Sequence, residues 1–96
     1  MTTDRKYLDW VKDYNIHDCI LCLAPCDDPH HVTYAEEKSA STKVGDEYAV
    51  PLCRPCHNVV HAYQGPEEEF WIRMGVDPLE HAERLWAEWL EMTTTS

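Results

Sequence analysis

The stretch "LCRPCHNVVH" at 52–61 places four strong metal ligands close together: Cys53, Cys56, His57 and His61. Their spacing separates them into two pairs. On a helix beginning near Cys56, neighbours point about 100° apart, whereas residues four apart share a face. His57 and His61 can therefore hold one ion together. Cys56 points elsewhere and pairs with Cys53 in a thiolate knuckle. Each pair is half a site and needs ligands from another part of the chain.

For the thiolates, "CILC" at 19–22 repeats the Cys-x-x-Cys spacing of "CRPC". Cys19, Cys22, Cys53 and Cys56 together make the closed four-thiolate set of a structural zinc site. Cys26 is the fifth and odd cysteine. It can stand in for Cys19 or Cys22, but the matched spacing favours 19 and 22 and leaves Cys26 a free loop thiol. For the imidazoles, "DPHHV" supplies His30 and His31 on a strand, where successive side chains face opposite ways. One of them can complete a three-His site with His57 and His61, and the other stays free. Three neutral imidazoles leave coordination positions open, as in a catalytic centre. A free histidine beside such a centre suits general-base chemistry near neutral pH.

These pairs require particular elements to carry them. "DRKYLDWVKDY" spaces Tyr7, Leu8, Trp10, Val11 and Tyr14 helically, predicting an amphipathic helix over 4–14 with its aromatics in the core. "LAPCDDP" reads as a loop, "HHVTY" (30–34) as a strand, and "AEEKSASTKVGDE" as a polar loop. "EYAVPLC" reads as a second strand with Pro51 near its end. A helix follows from Pro55 and stops at Gly65. "PEEEFWIRMG" predicts another, with three Glu in its first turn and Gly75 at its end. In "DPLEHAERLWAEWLEM", Asp77 is the N-cap, Pro78 opens the helix, and Leu79, Ala82, Leu85, Trp86 and Trp89 form its apolar stripe. His81 lies beside that stripe as a packing or surface residue. The fold class is α+β: a β-β-α unit tied by metal and flanked by N- and C-terminal helices. It forms one domain over 1–96, divided as an N-terminal helical segment (1–18), a zinc-stabilised core (19–62), C-terminal helices (63–92) and a frayed tail (93–96).

At 96 residues a hydrophobic core alone is marginal, and a structural ion compensates. No apolar run approaches the ~20 residues of a membrane span, and "MTTDRKYLDW" is not a signal peptide, so a soluble cytoplasmic protein is expected. The net charge of −10 opposes nucleic-acid binding, but it is unevenly spread. Residues 1–29 carry six acids against three bases and 62–96 carry eight against two, while 30–61 carry four against three. The segment holding the histidines is nearly neutral before any ion adds charge.

The combination "CILC", "HHV", "K..D....PLCRPCH...H" and "FWIRMGVDPLEHAERLW" resembles the HNH (ββα-metal) nuclease family. The similarity is strongest to its zinc-containing phage and prophage branch, which includes RecA-dependent nucleases. It runs over nearly the whole chain. The resemblance implies that His30, His57 and His61 bind one catalytic divalent ion (Mg, Mn, Ni or Zn), and that His31 is the general base activating water. It further implies hydrolysis of DNA phosphodiester bonds to 5′-phosphate and 3′-hydroxyl ends. Two features depart from the family. No Asn lies between the strands, where Asp46 takes the corresponding position, and "SASTK" replaces a Gly-rich run before Lys43. Lys38, Lys43 and Arg54 are the candidate phosphate contacts. The alternative to a DNA endonuclease is a zinc-stabilised module of the same fold, recruited by a protein partner, with weak or no catalysis.

Overall fold

A computed structural model describes residues 4–35 and 45–94. Its elements are α1 (Arg5–Val11), β1 (Asp28–His31), a 3-10 turn (Asp46–Tyr48), β2 (Ala49–Leu52), α2 (Arg54–Ala62), α3 (Glu67–Met74) and α4 (Pro78–Thr94). The described residues thus form a small α+β domain with one two-stranded sheet and four helices. No helix among the described residues is long and apolar enough to cross a membrane.

The strands pair antiparallel with His30 opposite Val50 and Pro29 opposite Pro51. Neither proline has an N–H, so this facing pair sits where the two residues exchange no ladder bonds. That register lets Pro51 lie near the end of β2, as expected, without costing a ladder bond. β1 starts two residues ahead of the expected 30–34, because Asp28 and Pro29 join the ladder. The expected second strand likewise begins as a 3-10 turn, and only Ala49–Leu52 is extended. All four residues of β2 are buried.

The helices obey local chemistry. Asp4 caps α1 by accepting from the Tyr7 N–H at 3.0 Å. Asp77 does the same for α4, accepting from Leu79 and Glu80. Gly75 closes α3 at φ 70°, the left-handed backbone that glycine adopts without steric penalty. α1 is shorter than the expected 4–14, and Tyr14 beyond it is exposed. α4 is longer than expected: Thr93 and Thr94 continue the helix and bond back to the Trp89 and Leu90 carbonyls, while residues 95–96 lie outside the described residues.

Three apolar clusters hold these elements. Cys19, Leu52, Cys53, Val60, Phe70 and Trp71 pack beneath α2 and α3. Val32, Val50 and Ala82 join the sheet to α4. Tyr7, Val11 and Leu85 join α1 to α4, flanked by Trp10, Trp86 and Trp89. Here the Tyr7 ring meets Trp86 edge-on at 4.8 Å. The tryptophan stripe of α4 is therefore covered by α1 of the same chain. The Tyr7 hydroxyl is buried without a hydrogen-bond partner among the described residues. An unpaired buried hydroxyl costs about 1–3 kcal/mol. Tyr7→Phe is accordingly expected to leave stability unchanged or raise it by up to about 1 kcal/mol, whereas Tyr7→Ala should cost about 3–5 kcal/mol. Urea unfolding midpoints of the two variants measure both.

Candidate metal centres

The β2–α2 junction and the helix after it deliver two of the four clustered cysteines and two of the three clustered histidines. Cys53 follows β2 directly and occupies the N-cap position of α2, but its side chain does not cap the helix. The free Arg54 N–H donates instead to Asp27 Oδ2 at 2.7 Å, which fixes the first turn of α2 against the chain entering β1. One turn of helix then carries Cys56 and His57 in different directions, with His61 above His57.

The first cluster comprises Cys19, Cys22, Cys53 and Cys56, whose sulfurs all lie within 4.8 Å of one another. Cys22 Sγ and Cys53 Sγ are 3.5 Å apart. Zinc–sulfur bonds of about 2.3 Å in a tetrahedron put sulfurs about 3.8 Å apart, so the donor set fits an ion of that kind. The knuckle is shaped for it. Leu23 takes φ 66°, uncommon for a branched side chain, and its N–H returns to the Cys19 carbonyl at 2.9 Å. Ile20 N–H bonds the Pro51 carbonyl at 3.2 Å, docking the knuckle on the free edge of β2. Burial alone would raise the Cys19 thiol, but N–H groups of Cys53, Cys22 and Leu21 aimed at its sulfur outweigh that and bring it down to about 7. Burial and the neighbouring sulfurs push Cys53 and Cys56 upward, since one cluster cannot hold several thiolates unaided. A bound cation removes that conflict.

Cys26 is absent from this cluster. It is buried, and its thiol points at the Val11 carbonyl 3.7 Å away. Burial and the surrounding aspartates raise its pKa, so the free loop thiol expected from the sequence is a packed and unreactive one.

The second cluster is His30, His57 and His61. Of the two adjacent histidines on β1, His30 is the one that joins the α2 pair. Its side chain is 2% exposed, and its ring centroid lies 5.1 Å from His57 and 5.6 Å from His61. His57 Nε2 and His61 Nε2 stand 3.0 Å apart. Two imidazoles on one tetrahedral ion place their nitrogens about 3.3 Å apart, so this donor set also fits. Burial lowers the pKa of His57 against the opposing pull of Asp28, favouring the neutral ring that binds metal.

His31 turns the other way. Its Nε2 lies 2.8 Å from Asp46 Oδ1, and the ring is partly exposed. Asp46 is itself held, because the Asp4 N–H donates to Oδ2 at 2.7 Å. Arg54 forks onto Asp28 through Nε at 2.9 Å and Nη2 at 3.2 Å, so its guanidinium is already paired with a carboxylate. Lys38 and Lys43 lie outside the described residues. His81 sits apart from both clusters and meets Arg84 on α4.

Two carboxylates at the second cluster were not legible as site residues. Asp28 Oδ2 lies 3.3 Å from His57 Nδ1. Glu67, at the start of α3, reads in the sequence only as a charge suited to a helix N-terminus. In the fold it reaches back to β1: Oε2 meets His30 Nε2 at 2.9 Å and the Trp71 indole N–H at 2.8 Å, and Oε1 accepts from the Thr33 hydroxyl at 2.8 Å. Burial would raise the Glu67 carboxyl, but these bonds outweigh it and hold it down to about 2. The signal in the sequence was its i, i+4 spacing to Trp71, which allows that indole bond.

A family model described as "Protein of unknown function (DUF968)" matches residues 1–81. The chain is also 41% identical over 57 residues to the uncharacterized protein YdfU of Escherichia coli (strain K12), a match covering 59% of this chain and 16% of that one. The chain therefore corresponds to a small part of that relative's length. No solved structure matches.

The geometry separates Cys26 from its four neighbours in a way elemental analysis can read. Ser substitution at Cys19, Cys22, Cys53 or Cys56 should abolish zinc retention by the purified protein and unfold the domain. Cys26→Ser should retain one ion per chain.

Proposed function

The chain belongs to the DUF968 family, and we propose that it is an HNH-type (ββα-metal) endonuclease, hydrolysing DNA phosphodiester bonds with one catalytic divalent ion and a structural zinc. The observation that carries this reading is the division of labour between adjacent residues. His30 joins a three-imidazole cluster, while His31 pairs with Asp46. A purely structural ion would be served by the cysteines alone and would need neither feature.

Asp46 accepts a hydrogen bond from the N–H at His31 Nε2, which keeps that proton on Nε2 and leaves the lone pair on Nδ1. That nitrogen takes a proton from a water as the water oxygen bonds to phosphorus. The P–O3′ bond breaks, the departing oxygen takes a proton from solvent to become the 3′-hydroxyl, and the phosphate stays on the 5′ side. His31 then returns its proton to solvent. An ion at the three-His cluster, when bound, supplies positive charge for the scissile phosphate and the leaving oxygen. Asp46 fixes the tautomer and ring plane of His31, and the Asp4 N–H fixes Asp46.

A second reading rests on charge. Arg54 is engaged by Asp28, and the net charge of −10 opposes contact with a polyanion. A groove of about 720 Å³ between α1 and the end of α4 is lined by apolar Trp10, Ile16 and Met92, by His17, and by acidic Glu88 and Glu91. It suits a basic protein partner that brings DNA to the domain. In this version the fold is a recruited module with weak intrinsic catalysis.

Plasmid nicking with each divalent ion added back tests the choice. His31→Ala is expected to lower metal-dependent nicking by roughly 10²–10⁴-fold with ion content unchanged, and Asp46→Asn to lower it less. Nicking that survives His31→Ala would refute the endonuclease mechanism. A wild type inactive with every ion would favour the recruited module.

A further inference from the structure

We propose that Glu67 is a positioning residue of the His30–His57–His61 site: its carboxylate keeps the proton of His30 on Nε2, so that Nδ1 is the nitrogen offered to a divalent transition ion. This rests on reading the three-His cluster as an ion site, and adds to it a residue from outside the strand-strand-helix unit.

The argument is one of hydrogen-bond supply. Glu67 receives the Trp71 indole N–H at 2.8 Å, the Thr33 hydroxyl at 2.8 Å and the Thr33 N–H at 3.4 Å. A carboxylate surrounded by donors has no proton of its own to give. The proton in its 2.9 Å contact with His30 Nε2 must therefore come from the imidazole. His30 is 2% exposed, so no solvent competes for that nitrogen. With its proton on Nε2, the ring offers its lone pair on Nδ1. A neighbouring contact sets the opposite choice at His57: Asp28 lies 3.3 Å from Nδ1, which frees Nε2, the nitrogen that meets His61 Nε2 at 3.0 Å. Two carboxylates thus assign two imidazoles opposite tautomers, and a carboxylate behind a ligating imidazole also raises its basicity. Because Glu67 lies on α3, docking of α3 on β1 completes a ligand that β1 carries.

The test uses the full chain with its cysteine-bound ion retained. Long-range proton–nitrogen correlation on 15N-histidine protein at pH 8 should show His30 as the Nε2–H tautomer before any second ion is added. Cobalt(II) titrated into the wild type should bind with a visible d–d spectrum, and Glu67→Gln should weaken it roughly 10–100-fold, with Glu67→Ala weaker still because Gln keeps an acceptor. Thr33→Ala and Trp71→Phe remove tethers of α3 without removing the carboxylate. They should lower the unfolding midpoint more than they change cobalt affinity. Cobalt affinity unchanged in Glu67→Ala, or an Nδ1–H tautomer at His30 in the wild type, would overturn the proposal. So would an affinity loss fully matched by loss of fold. Failure of wild type to bind cobalt, or binding indifferent to His57→Ala, would overturn the ion site itself.

Discussion

The junction between β2 and α2 is the constraint from which the rest of the molecule follows. A strand that ends at Leu52 and a helix that begins at Arg54 leave a single residue, Cys53, to turn the chain. Helical geometry then sends Cys56 toward the N-terminal knuckle and His57 toward β1. Had α2 begun one residue later, the angular relation of the thiols and imidazoles to their partners would have rotated by about 100°. The Asp27 carboxylate that receives the Arg54 N–H pins this start point, and the Asp28 carboxylate beside it grips Arg54 and His57. Two consecutive acids at the start of a strand therefore set where a helix begins and how one of its imidazoles is oriented.

Around that junction the apolar core and the polar sites are interleaved rather than stacked in separate layers. Cys19 and Cys53 are members of the same buried cluster as Leu52, Val60, Phe70 and Trp71. Trp71 packs there and also donates to Glu67. In a chain this short the cysteine cluster is part of the interior, so ligand geometry and core packing are not independent quantities. The same economy explains the shortness of the sheet. Four residues per strand suffice because the knuckle occupies one edge of β2 and α4 covers a face.

What the sequence made legible was local. Cys-x-x-Cys and His-x-x-x-His are statements about residues three and four apart, and such spacings survive folding whatever the rest of the chain does. The N-cap at Asp77, the stop at Gly75 and the stripe of α4 belong to the same kind of rule. The choice between His30 and His31 was open on strand alternation alone, because alternation says that two neighbours differ without saying which faces α2. The carboxylates behind the imidazoles were hidden for a related reason. Glu67 lies 37 residues from His30, and Asp28 lies 29 from His57, so only tertiary structure joins them. The strand boundaries shifted because facing prolines and a 3-10 turn are pairing effects, invisible in either strand by itself. Lys38 and Lys43 fall outside the described residues, and Arg54 found a carboxylate that composition could not foresee.

Asp4 carries a further consequence. This residue caps α1 through Oδ1, accepts the Trp89 indole N–H on Oδ2 at 3.3 Å, and donates its own N–H to Asp46. The His31–Asp46 pair is thereby anchored to a helix of only seven residues, too short to persist without its packing on α4. Such elements open and close as local units well below the free energy of global unfolding. Each detachment of α1 strips the Asp46 carboxylate of the Asp4 N–H. Order at His31 is therefore coupled to opening of the helix whose cap donates to Asp46, and amide exchange at Asp4 and Tyr7 would keep its clock.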